Sequence, residues 1–273
     1  MVKIRLDVLL CNRDLAESRE KARALILAGE VRVNGKIIDK PGASIEDKAE
    51  IDINSSVPRY VSRGGFKLEK AIEEFSISLK NRIVLDVGAS TGGFTDCALQ
   101  YGAAQVWAVD VGYGQLHWKL RNDPRVVVLE KTNIRYLKRE EINTLFDIVT
   151  VDVSFISVFK VFPVVKQLLK RDGHIISLIK PQFEAGRDKI GKNGVVRDSA
   201  IHREVLVNCI AQAAHQGLQC INATFSPITG PKGNIEFFLH LSPGAGVLTD
   251  REITNLVDNT VKAAHEQLGG SKN

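Results

Sequence analysis

The sequence predicts an α/β protein: a mainly parallel sheet with helices on both faces, preceded by a small α+β unit. Three observations predict it. From residue 61 onward, apolar strand runs such as Ile83-Val84-Leu85-Asp86-Val87 alternate with helical patterns, the signature of a parallel sheet covered on both sides. A glycine-rich turn, Asp86-Val87-Gly88-Ala89-Ser90-Thr91-Gly92-Gly93-Phe94, leads from that strand into a helix. Residues 1–60 lack the alternation and show two short helices and a hairpin instead. At 273 residues the chain is long enough for one large and one small unit.

The small unit begins with a short helix at Arg5-Leu6-Asp7-Val8-Leu9-Leu10, with Leu6, Leu9 and Leu10 inward. Ser18 is placed to cap a second helix that runs to Ala28. Ala22, Leu25 and Ile26 follow helical spacing there, and Gly29 suits the stop. Arg19 and Arg23, four apart, share one face. Val31-Arg32-Val33 reads as a strand, Asn34-Gly35 as a tight turn and Lys36-Ile37-Ile38 as the partner strand. Ile51-Asp52-Ile53 closes the unit. Val57-Pro58-Arg59-Tyr60 breaks the strand pattern and opens a short linker. The expected division is residues 1–58, a linker at 59–66, and residues 67–273.

In the large unit the helix after the glycine turn starts near Thr95, and the next strand is Gln105-Val106-Trp107-Ala108-Val109-Asp110. Further strands are expected at 125–129, 146–151 and 174–178, with a helix at 161–170 between the last two. A helix at 202–216 leads to strands at 219–225 and 235–241. A final amphipathic helix, 250–268, turns Ile253, Leu256, Val257, Val261, Ala264 and Leu268 inward.

Composition excludes several classes. With 44% hydrophobic and 25% charged residues the chain is an ordinary globular one. No apolar run approaches the ~20 residues that span a bilayer. The N-terminus meets charge too early for a signal peptide, so a cytoplasmic location without stable membrane association is expected. The cysteines Cys11, Cys97, Cys209 and Cys220 are scattered, with no Cys-x-x-Cys and no paired histidine, so they read as reduced packing residues and no metal is expected. The net charge of +5 hints at a polyanionic partner. Residues 1–40 hold nine Lys+Arg against six Asp+Glu, so the basic excess is local to the first helices; a solvated helical surface would show the same charge.

Two sets of residues carry chemistry. Gly88, Gly92 and Gly93 lie where backbone must approach a ligand closely. Their Gly-x-x-x-Gly-Gly spacing is neither the dinucleotide fingerprint nor a P-loop, and Asp110 ends the next strand where it would accept hydrogen bonds from a ribose. The structural alternative is that the glycines merely shape a turn. The second set is Lys67 in SRGGFKL, Asp152 in VDVSF, Lys180 in LIKPQFE and Glu236 in GNIEFFLHL. Singly, each has a structural reading: Lys67 a snorkelling chain, Asp152 a turn cap, Glu236 a surface ion pair.

As an ordered set, the four match the Lys-Asp-Lys-Glu tetrad of FtsJ-like ribose 2′-O-methyltransferases, and the DVGASTGGF and AVDVG strings resemble the cofactor site of class I methyltransferases. The string RLDVLL…SREKARALILAGEVRVNGKIIDKPGASI resembles the alpha-L RNA-binding domain of a small-subunit ribosomal protein. Joined, they resemble the TlyA/hemolysin A family of rRNA methyltransferases over essentially the whole chain. The resemblance implies a Rossmann-like class I methyltransferase sheet ending in an antiparallel hairpin, with an N-terminal α+β RNA-binding domain. It implies S-adenosylmethionine as cofactor, held by Asp86, Gly88, Ala89, Ser90, Gly92, Gly93, Phe94, Asp110, Asn133 and Asp152. It places Arg5, Ser18, Arg19, Lys21, Arg23 and Lys36 at RNA-contact positions, and ribosomal RNA or ribosomal subunits as partners. Thr91 stands where a proline is usual and Asn133 where an aspartate often holds adenine.

A ribose hydroxyl is a poor nucleophile until it loses its proton. Lys180 accepts that proton only when neutral; burial and the cationic Lys67 would lower its pKa, while Asp152 and Glu236 oppose that shift. Base methylation is disfavoured: the place of an Asn/Asp-Pro-Pro-Tyr/Phe motif reads Asp152-Val153-Ser154-Phe155, and Pro181 is followed by Gln182 rather than by a nucleophilic cysteine. Two other classes stay in view, a membrane-lysing toxin and an RNA-binding assembly factor without catalysis. The mixed charge of the C-terminal helix argues against the first.

Overall fold

The computed structural model of the chain describes residues 3–16, 18–53, 59–244 and 246–269. The small unit runs β1 (Lys3–Arg5), α1 (Leu6–Asn12), α2 (Arg19–Leu27), β2 (Val31–Val33), β3 (Lys36–Ile37), β4 (Ser44–Glu46) and β5 (Ile51–Ile53). Its core is Leu6, Leu10, Ala22, Ile26, Val31 and Val33, the positions that the helical and strand periods turn inward. The Ser18 side chain accepts from the Lys21 amide at 3.2 Å and so caps α2. Gly29, at φ +77°, ends that helix, with its amide donating to Ile26 and that of Glu30 to Leu25. Asn34 and Gly35 both take positive φ, the twist a two-residue hairpin needs between β2 and β3. The antiparallel pair of β1 with β4 is not legible in the sequence, because each strand is only three residues long.

The large unit continues with α3 (Gly64–Phe75), β6 (Ile83–Val87), α4 (Gly93–Gln100), β7 (Gln105–Val109), α5 (Trp118–Arg121), β8 (Val126–Leu129), β9 (Phe146–Val151), α6 (Phe162–Leu168), β10 (Leu169–Ile179), α7 (Pro181–Glu184), α8 (Ser199–His215), β11 (Gln219–Phe225), β12 (Phe237–Ser242) and α9 (Asp250–Leu268). The sheet order is β11-β12-β10-β9-β6-β7-β8. The five strands from β10 to β8 pair in parallel, and β12 runs antiparallel to both β10 and β11, which gives the expected terminal hairpin. Apolar clusters lie on both faces: one includes Phe146, Phe162, Leu206 and Val257, the other Leu68, Phe94, Ile176 and Phe238. α9 buries Val257, Val261 and Ala264 on the first, as its period predicts. Among the described residues no helix is long and apolar enough to cross a membrane.

The stretch read as a linker packs on the large unit. Val57 and Pro58, which open it in the sequence, lie outside the described residues. Tyr60 is buried, the Val61 amide donates to Asp96 Oδ2 at 2.8 Å, and α3 already begins at Gly64. A Cβ at Gly65 would fall 2.2 Å from the Tyr60 ring, so that glycine is what lets the segment close down. The four cysteines are free thiols, and Cys97, Cys209 and Cys220 are buried among apolar side chains.

Candidate active site

The parallel strands β6, β7, β9 and β10 all end on one edge of the sheet, and the loops that follow them build the site. The Gly88–Phe94 turn follows β6. Gly88 sits at φ +88°, and a Cβ there would lie 2.3 Å from the Asp152 carbonyl oxygen at the end of β9. Glycine is thus required for the two loops to meet. Asp110 follows β7. The Ser90 amide donates to its Oδ2 at 2.8 Å and the Gly112 amide to its Oδ1 at 2.7 Å, which fixes the carboxylate while leaving each oxygen a further lone pair.

These loops line a cavity of about 380 Å³ that includes Gly88, Ser90, Asp110, Asn133, Asp152 and the apolar Val111 and Ile134. A second cavity of about 160 Å³ lies between the glycine turn and α3, lined by Lys67, Ala89, Ser90, Gly93, Phe94 and Asp152. A backbone cradle that no side chain could replace, a fixed carboxylate and flanking apolar walls fit a nucleoside-bearing cofactor. Eight of the ten residues expected to hold it line one cavity or the other. Asp86 and Gly92 do not. Asp86 is fully buried behind the turn, where Thr95 and Thr150 donate to its carboxylate at 2.7 and 2.9 Å. Burial pushes that carboxyl up to about 6, against the pull of the two hydroxyls. It braces β6, β9 and α4 and lines neither of the two cavities. Gly92, at φ +97°, faces Leu116 and Leu120 and shapes the start of α4.

The four tetrad candidates come together although they are spread over 170 residues of chain, from Lys67 to Glu236. Lys67 projects from α3, and its ammonium donates to Glu236 Oε2 at 2.5 Å; the two side chains are only 8% and 2% exposed. Lys180, at the end of β10, forms a 2.5 Å ion pair with Asp152 Oδ1 and donates to Ser154 Oγ at 2.8 Å. Burial opposes the charge on Asp152, but the Lys180 and Lys67 ammonium groups outweigh it and hold the carboxyl below its ordinary value. Lys180 departs from the sequence expectation. Burial does push it down, yet Asp152 and then Glu236 prevail, and its pKa is raised. The ammonium of Lys67 lies against Glu236, and the two carboxylates outweigh burial at Lys180. Lys180 and Glu236 also line a third cavity, of about 350 Å³, with Phe155, Gln182, Phe183 and Lys232. Ser154 was missed in the sequence; its only signal is its place two residues after Asp152, where the end of β9 turns toward β10.

The expected RNA contacts lie on the small unit and line none of these three cavities. Arg5 donates to both oxygens of Asp7 at 3.0 and 3.1 Å, and Arg19 donates to Asp7 Oδ2 at 3.0 Å. Asp7 is buried beneath the two arginines, which are 57% and 60% exposed. The Arg5 hydrogen bonds hold the Asp7 carboxyl down at about 2. Two guanidiniums around one carboxylate leave that corner with a single net positive charge. Ser18 serves as a helix cap, and Lys21, Arg23 and Lys36 are exposed.

Residues 60–242 match the FtsJ-like methyltransferase family and residues 4–51 match the S4 domain. The chain is 50% identical to "Putative rRNA methyltransferase YqxC" of Bacillus subtilis (strain 168), covering 97% of this chain and 96% of that one. It is 45% identical to the "16S/23S rRNA (cytidine-2'-O)-methyltransferase TlyA" of Mycobacterium tuberculosis (strain ATCC 25618 / H37Rv), over 88% of this chain and 90% of that one. Among solved structures, a "Putative hemolysin from Streptococcus thermophilus" superposes with a TM-score of 0.78 at 44% identity, covering 98% of each chain. The chain is a TlyA/hemolysin A-like member of the FtsJ-like methyltransferases, with an S4 domain at its N-terminus.

Proposed function

We propose that this methyltransferase uses S-adenosylmethionine to methylate a ribose 2′-hydroxyl of ribosomal RNA. The observation that carries the reading is the convergence of Lys67, Asp152, Lys180 and Glu236 between the cofactor-sized cavity and the 350 Å³ cavity beside it. The relatives named for methylation of cytidine 2′-oxygens in rRNA support it. Gly88 and Ser90 would bring backbone to the cofactor, Asp110 would accept from its ribose hydroxyls, and Val111 and Ile134 would give it an apolar wall. The cofactor supplies a methyl group already activated on a sulfonium. Lys180 holds the acceptor oxygen and takes its proton when in the amine form; Asp152 orients that ammonium. Lys67 and Glu236 fix the opposite wall. The chain's contribution is thus in-line placement and electrostatics. The lytic reading has no support from the C-terminal helix, whose apolar face is packed on the sheet.

Removal of the Asp110 carboxylate should weaken the cofactor alone. Asp110→Ala is expected to lose two charge-assisted hydrogen bonds, about 1.5–3 kcal/mol each, and so to weaken S-adenosylmethionine at least tenfold in isothermal titration. Equal affinity in the variant takes Asp110 out of the site.

The S4 domain is the proposed RNA anchor, through Arg5, Arg19, Lys21, Arg23 and Lys36, with Ser18 fixing the helix that carries three of them. A cation that neutralises a phosphate releases a counterion, so removing one such cation flattens the salt dependence of binding by about 0.7–0.9 in log–log slope. Arg19→Ala with Arg23→Ala is expected to flatten it by roughly one to two times that amount, the lower figure applying if Asp7 already neutralises Arg19. Cofactor affinity should not change. An unaltered salt slope makes the S4 domain a protein-docking unit.

A further inference from the structure

Arg63 is tied to both units of the chain at once. Its backbone amide donates to the carbonyl of Leu27, the last residue of α2, at 3.1 Å. Its Nη2 lies 3.2 Å from Asp39 Oδ2 of the small unit and donates to the carbonyl of Thr229 at 2.7 Å. The side chain is 21% exposed, so these ties are largely shielded from water. Both ends of the link lead to the tetrad. Arg63 is the residue before α3, the helix that presents Lys67 one turn later. Thr229 precedes Gly230, where a Cβ would fall 2.5 Å from Glu236 Oε1; the loop and the Glu236 carboxylate are in direct contact. One guanidinium therefore sets the distance between the two elements that carry the Lys67–Glu236 pair, and a carboxylate of the RNA-binding unit holds that guanidinium.

We infer that Arg63 is a positioning residue through which the seating of the S4 domain sets the Lys67–Glu236 half of the active site. This rests on the tetrad reading above. A planar fork serves two acceptors in a fixed relation, whereas a lysine ammonium is a point charge on a flexible stem. Misplacement of a positioning element by an ångström is enough to lose about 100-fold in rate. The link also gives the chain a means of making catalysis depend on how the RNA-binding unit is held, because Asp39 moves with that unit.

The experiment is a double-mutant cycle in kcat with unmodified ribosomal subunits and methyl-labelled S-adenosylmethionine, using Arg63→Lys, Asp39→Asn and the pair together. Arg63 also borders the 160 Å³ cavity beside the glycine turn, so cofactor affinity is measured separately and kcat is read at saturating cofactor. Each single variant is expected to lower that kcat by about tenfold or more, with KM for the subunit within about twofold, and the pair to lose no more than Arg63→Lys alone. A kcat equal to the parent in either single variant, or losses that multiply in the pair, overturns the inference. Neither substitution removes bulk from the core, and thermal unfolding of each variant separates loss of fold from loss of placement. Glu236→Gln distinguishes the two levels. If it keeps full kcat, the tetrad reading has failed; if it is inactive while Arg63→Lys is fully active, only the Arg63 link has failed.

Discussion

Lys180→Ala is expected to abolish methyl transfer, with a loss of about 10²–10⁴-fold, the usual scale for a general base. Cofactor and RNA affinities should remain within about twofold. Lys180→Arg should fail as well, because a guanidinium never gives up its proton and cannot accept one. The raised pKa of Lys180 adds a pH signature whose sign follows directly. Above its ordinary value of about 10.4, the group is almost wholly ammonium at neutral pH. The amine fraction then grows about tenfold per pH unit. The log of the rate should climb through the neutral and mildly alkaline range and not level off below about pH 10. The apparent value belongs to the coupled cluster of two lysines and two carboxylates rather than to one residue. A plateau near neutral pH, or substantial activity in Lys180→Arg, assigns the proton to another acceptor and leaves Lys180 as a steering charge.

Glu236→Ala should be the most destabilising single change in the site. It leaves the Lys67 ammonium in a pocket where its side chain is 8% exposed and its partner is gone. Breaking a buried pair from one side costs about 3–5 kcal/mol, because the remaining charge is desolvated without compensation. Replacement of both partners by apolar residues of similar volume is often neutral. Lys67→Met with Glu236→Leu should therefore recover most of the stability while remaining inactive. Denaturant unfolding of the three proteins measures this. A loss below about 1 kcal/mol in Glu236→Ala, the range of an exposed pair, would show that the pair is open to water.

Much of the fold was legible because its signals are periodic or punctuated. α9 spans the residues its apolar spacing marks out, and Gly29 and Asn34-Gly35 stop a helix and turn a hairpin by needing positive φ. The candidate site was legible as a set of residues that fold together, since Lys67, Asp152, Lys180 and Glu236 each stand in a local motif. Their energetics were not. Whether Lys180 is raised or lowered depends on Asp152 lying at 2.5 Å and on how near Glu236 and Lys67 come, and sequence order encodes no distance. Asp86 shows a related gap. Its place at a strand end reads as a ligand contact, but the strand turns it inward to Thr95 and Thr150. The positive charge at Arg5 and Arg19 reads as a free basic face until folding brings both onto Asp7.

The measurement that bears most directly on the proposed activity is the site of label after transfer. Ribosomal subunits lacking the modification are incubated with the protein and methyl-labelled S-adenosylmethionine, and the RNA is then hydrolysed in alkali, which cannot cleave next to a methylated 2′-oxygen. The account predicts label in an alkali-resistant dinucleotide, lost in Lys180→Ala. Label in a mononucleotide, on a base, or no label in RNA at all would contradict it.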